Sequence, residues 1–136
     1  MKYYAVIDTN VLVSALLKWH SVPGNVTEQA LIGEIIPLLN DLIMKEYREV
    51  LLRPKFRFPT DAVDVFLQGI SNRGIYIDTG TVDYILPDSK DAVFYAVVMK
   101  AREDHLSYLV TGNIKHFPSR TFVVTPREML DIIGHS

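Results

Sequence analysis

The sequence predicts an α/β sandwich built around a parallel sheet, and three observations carry that expectation. Short runs of apolar, strand-forming residues alternate with helical segments along the whole chain. The first run, Tyr3-Tyr4-Ala5-Val6-Ile7, is uninterrupted by polar residues, as in a strand buried on both faces, and ends abruptly on Asp8. No repeat or low-complexity segment breaks the alternation, and 136 residues suit one domain, spanning 1–136, with a proper core.

The elements follow in order. Asp8-Thr9-Asn10 can cap a helix beginning near Val11 and running to about Lys18. Trp19 to Asn25 is rich in turn residues, and a second helix is expected from about Val26 to Gly33. Glu34-Ile35-Ile36-Pro37-Leu38 reads as a short strand. Pro37 has no N–H to give a ladder, so it should sit late in that strand or beside an edge. From Asn40 or Asp41 to Arg53, Leu42, Ile43, Tyr47, Val50 and Leu51 recur at helical spacing until Pro54 stops the pattern.

Lys55 to Pro59 is a linker of alternating basic and aromatic residues. Thr60 and Asp61 open a helix that places Val63, Phe66, Leu67 and Ile70 on one face and stops at Gly74. Ile75-Tyr76-Ile77 is a brief strand, and Asp78-Thr79-Gly80 turns the chain away from it. Leu86 to Asp91 signals a helix start, and the helix from Ala92 to about Glu103 is apolar almost all round, so it should be heavily buried. Ser107 to Thr111 and Thr121 to Val124 are further strands, and Pro126 begins a last helix ending near Ile133.

Composition narrows the chemistry. With no cysteine, a metal would have to be held by oxygen or histidine ligands. A net charge of −2 excludes coating nucleic acid by bulk attraction and leaves local basic patches open. The chain shows no basic-plus-apolar leader and no long apolar run, so a cytoplasmic protein without membrane spans is expected.

Strand C-termini and helix N-termini share one edge of a right-handed parallel sheet. Asp8, Asp88, Asp91 and Asn113 are therefore expected on one rim, with Glu46 as a further acidic candidate. Such carboxylates repel one another unless a divalent cation neutralises them, and hard oxygen donors favour magnesium or manganese. That chemistry suits phosphodiester hydrolysis, in which the ion acidifies a water and offsets charge on the leaving oxygen. Plain structural roles compete for each residue. Asp8 and Asp88 both suit helix caps, Asp91 suits the helix dipole, and Glu46 beside Lys45 and Arg48 suits a solvated ion pair.

Four blocks then carry a resemblance. Val6-Ile7-Asp8-Thr9-Asn10-Val11, the Glu46-Tyr47-Arg48-Glu49-Val50-Leu51 helix, Pro87 to Ala96 and Leu109 to Phe117 together resemble the PIN-domain family, of the kind that serves as the ribonuclease toxin of prokaryotic toxin–antitoxin pairs. The resemblance implies a three-layer α/β/α sandwich whose acidic rim binds magnesium or manganese and cuts RNA. It implies Asp8, Glu46 and Asp91 as the catalytic and metal-binding carboxylates, with Thr9, Asn10, Asp88 and Asn113 in support. It also implies an antitoxin protein covering the active-site groove.

One position departs from the family's pattern. Where many members have Asp after Thr-Gly or Thr-Arg, this chain has Asn113, an amide oxygen without charge, which should weaken a second metal more than a first. Arg48, Lys115 and His116 are the candidates for holding substrate phosphates, His116 being better read as an ordinary surface histidine of a loop than as a catalytic group. Phe56 and Phe58 suit stacking on bases less well than they suit a core. Two alternatives stay open: a PIN-like module that binds RNA or protein with little activity, and a metal-dependent phosphohydrolase. Self-association is also left open.

Overall fold

The computed structural model describes residues 2–82 and 84–134. Its strands are β1 (Tyr3–Ile7), β2 (Ile35–Leu39), β3 (Ile75–Tyr76), β4 (Ser107–Val110) and β5 (Val123–Val124). Its helices are α1 (Thr9–Leu17), α2 (Val22–Ile32), α3 (Asp41–Leu51), α4 (Thr60–Arg73), α5 (Ala92–Ala101) and α6 (Pro126–Gly134). The strands form one parallel sheet in the order β3-β2-β1-β4-β5. Helix α5 packs on β1, β2 and β4, while α2 packs on β2 and touches α1, α4 and α6. The result is the expected α/β/α sandwich.

The first strand lies at the centre because it is apolar on both faces. Ala5, Val6 and Ile7 are at most 2% exposed, with Leu38, Leu39, Leu109 and Val110 beside them. From β1 the chain runs out to β2 and β3, then crosses back to β4 on the other side of β1. The loops leaving β1 and β4 therefore diverge and open a crevice at the carboxyl end of the sheet, where ligands of such sheets are met.

Several boundaries differ from the sequence expectation for identifiable reasons. Helix α2 starts at Val22, not near Val26, because Ser21 caps it and Pro23 stands at its first turn; the Gly24 N–H donates to Ser21 Oγ at 3.1 Å. Pro37 lies in β2, which is flanked on both sides, rather than at an edge. It is tolerated because the β2–β3 pairing begins at Leu38 and Ile75, so the N–H that Pro37 lacks would fall before the ladder starts. Ser89–Asp91 forms a separate 3₁₀ turn ahead of α5.

Candidate functional site

Asp8 closes the central strand. Its backbone N–H donates to the Val110 carbonyl at 2.8 Å, extending the β1–β4 ladder by one step. That step sets Asp8 beside Thr111, whose hydroxyl donates to Asp8 Oδ2 at 2.7 Å. The carboxylate closes no cap over α1, so its position at the start of that helix does not explain the residue. Burial raises its pKa, the Thr111 hydroxyl and Thr9 backbone oppose the rise, Glu46 adds to it and His116 reduces it.

Helix α3 clips onto both sides of Asp8. The buried Tyr47 hydroxyl donates to the Ile7 carbonyl, and the Thr9 hydroxyl donates to Glu46 Oε2. Residues 46 and 47 thus seize residues 9 and 7, which holds Glu46 on the rim. Burial, followed by the charges of Asp8 and Glu46, pushes the Tyr47 phenol well above its usual range. Tyr47 therefore serves as a neutral donor.

Asp91 ends the 3₁₀ turn before α5, with its side chain only 14% exposed. Its pKa is raised to about 6, first by burial, then by Asp8 and Asp88 and more weakly by Glu46, against the pull of His116. His116 Nδ1 lies 3.6 Å from Asp91 Oδ2. Asp8, Glu46 and Asp91 thus form one electrostatic cluster, with a histidine at its margin.

The remaining candidates divide. Asp88 is exposed and caps the 3₁₀ turn, accepting the Lys90 N–H at 3.0 Å, while still acting on Asp91 through its charge. Asn10 Oδ1 accepts the Gly112 N–H at 3.3 Å, tying the loop after β1 to the loop after β4. Asn113 follows on that second loop, exposed, with its N–H on Thr111 Oγ1 at 3.0 Å. Lys115 and His116 lie on the 3₁₀ turn just beyond. Arg48 is not brought to the cluster; its guanidinium engages Asp64 of α4 at 2.8 and 3.3 Å. Phe56 and Phe58 stack on each other with centroids 5.7 Å apart, and Phe58 packs against the core, as the preferred reading of these aromatics had it.

Thr111 and Tyr47 were not singled out by the sequence reading, although both hold Asp8 in place. Thr111 was accessible in principle: aligning β1 with β4 so that their apolar runs match puts it opposite Asp8.

Among the described residues, no three acidic or histidine side chains already converge at ligating distances. The donor chemistry nevertheless fits a hard divalent ion. Two of the three carboxylates are held above their normal pKa by burial and mutual repulsion, a strain that a bound dication relieves. Asp8, Glu46 and Asp91 are the residues that would hold it. A groove of about 490 Å³ opens beside Glu46, lined in part by Leu42, Lys45, Glu49, Arg53 and Lys90.

A family model described as PIN domain matches residues 4–115. No curated protein and no solved structure matches the chain.

Proposed function

The chain belongs to the PIN-domain family, whose members are generally nucleases, and from that premise we propose that it is a divalent-metal-dependent endoribonuclease acting as the toxin of a toxin–antitoxin pair. The observation that carries this reading is the coupling of Asp8, Glu46 and Asp91 at the carboxyl end of the sheet. A bound magnesium or manganese ion would supply an acidified water and offset charge on the phosphate. The chain's own residues do the rest. Thr111 and the Ile7–Tyr47 contact fix Asp8, Thr9 fixes Glu46, and His116 faces Asp91 where a phosphate would approach. Asp88 adds negative potential without leaving its capping role.

The groove beside Glu46 supports the antitoxin part of this reading, since it joins apolar Leu42, Val50 and Val93 to Glu46 and Glu49 on one hand and Lys45, Arg53 and Lys90 on the other, and an apolar partner segment carrying charges of both signs would complement it. Among the described residues, no helix is long and apolar enough to cross a membrane.

The experiment is RNA cleavage by the purified chain with manganese, with a chelator, and with Asp8→Asn. Cleavage only in the first case is expected, together with growth arrest on expression that Asp8→Asn relieves. The second reading, a binding module of little activity, is favoured by the neutral Asn113. RNA binding without cleavage at any divalent-ion concentration would establish it instead.

A further inference from the structure

We propose that the crevice between the loops leaving β1 and β4 contains a pocket for one unpaired nucleobase beside the phosphate to be cut, with adenine preferred. This deepens the nuclease reading and rests on it for the position of the phosphate. The recess measures about 240 Å³ and is lined by Asn10, Ser14, Pro23, Gly112, Asn113 and Pro126. It stands where the strand order reverses, with Asn10 two residues past Asp8 and Asn113 two residues past Thr111.

Its lining is neutral. A phosphate would call for a cation there, and the cations of this loop, Lys115 and His116, come only afterwards. A base calls for flat apolar contact and a few hydrogen-bonding groups. Pro23 offers a partly exposed apolar ring and the buried Pro126 adds to the lining, while Ser14 and Asn113, both exposed and Asn113 making no side-chain cap on the turn after it, border the same recess. The Asn10 bond to Gly112 and the Asn113 bond to Thr111 brace the two walls before any ligand arrives, so little ordering cost remains to be met on binding. A carboxamide offers one acceptor and one donor side by side, the match for the N6 and N7 edge of adenine.

The test uses the full chain with tetradeoxynucleotides of a single base, calcium being added to neutralise the carboxylates, so that binding is read apart from RNA cleavage. Heteronuclear NMR should show the amides of Ser14, Gly112 and Asn113 moving. The adenine tetramer should bind about fivefold or more tighter than the thymine one, the lower bound for one bidentate amide contact. Ser14→Trp, which fills the recess from an exposed helix position, and Asn113→Ala should each abolish that preference while the spectra remain those of a folded protein. Equal affinity for all four bases, shifts confined to other residues, or an unchanged preference in both variants overturns the inference. RNA cleavage is scored separately: base preference without cleavage removes the nuclease reading and keeps the pocket, and cleavage without base preference does the reverse.

Discussion

Thr111 and Asp8, 103 positions apart in the chain, are joined by a 2.7 Å hydrogen bond in which the threonine hydroxyl donates. The same hydroxyl oxygen accepts the Asn113 N–H, so the rotor is fixed and its one hydrogen belongs to Asp8. Thr111→Val keeps the shape and removes the donor. A buried carboxylate losing its partner costs about 1–3 kcal/mol, to be read by urea denaturation. Removal of this downward influence raises the Asp8 pKa further. Manganese affinity and cleavage should each fall by about tenfold or more, the range for losing a group that orients a metal ligand. Wild-type cleavage in the valine variant would contradict the role.

Asp91 and Asp88 should separate cleanly. Asp91→Asn removes a shielded carboxylate of the cluster, and cleavage should fall to background while the metal-free protein becomes no less stable. Asp88→Asn preserves the cap and should leave most activity, whereas Asp88→Ala should lower the melting temperature by roughly 4 °C through loss of that cap. Equal loss of cleavage in Asp88→Asn and Asp91→Asn would reverse this ranking.

The pH dependence of metal-free stability has a definite sign. The Asp91 pKa is raised to about 6 in the folded protein against an ordinary 3.8, so in that window the native state holds more protons than the unfolded chain. The contribution of Asp91 to stability therefore falls as pH rises from about 4 to about 6 and stays low above. Asp8, also raised, acts in the same direction. Melting of the wild type minus that of Asp91→Asn, followed from pH 4 to 7 in chelator, should decline across this window. Saturating manganese, which binds the deprotonated form, should reverse the decline. A difference that rises with pH in chelator would refute the assignment.

Asn113→Asp should tighten divalent binding or add a weaker second site by restoring a charge to the rim. The added carboxylate joins an already negative cluster, so the metal-free protein should melt lower. Manganese calorimetry paired with melting in chelator tests both halves. Unchanged binding with unchanged melting would place residue 113 outside the metal's reach.

Most of the fold was legible because the signals were local. The uninterrupted apolar β1, the helical spacing of α3 and the nearly all-apolar α5 each announce themselves within a dozen residues. The missed start of α2 was local too: Ser21 and Pro23 form a capping pair that the surrounding turn-forming residues disguised. Of the site, the placement of Asp8 and Asp91 at one end of the sheet could be argued from topology, whereas Glu46, within α3, was brought to the site only by the family resemblance. Their bracing could not be argued so, because the Thr9–Glu46 and Tyr47–Ile7 contacts depend on how α3 is rotated against β1, which periodicity does not specify. The partner of Arg48 was hidden for a related reason: its sequence neighbours suggested a basic cluster, and the carboxylate it engages, Asp64, lies on the next helix.

The two outermost strands, β3 and β5, are each two residues long, and Pro37 leaves the uncovered flank of β2 without an N–H at its position. Among the described residues, neither flank of the sheet offers a stretch of free backbone long enough to recruit a foreign strand. Fibril seeding by edge-to-edge stacking is thereby suppressed in the folded protein. Heat-stressed samples should consequently acquire thioflavin signal only after global unfolding, with no lag-free growth from native seeds.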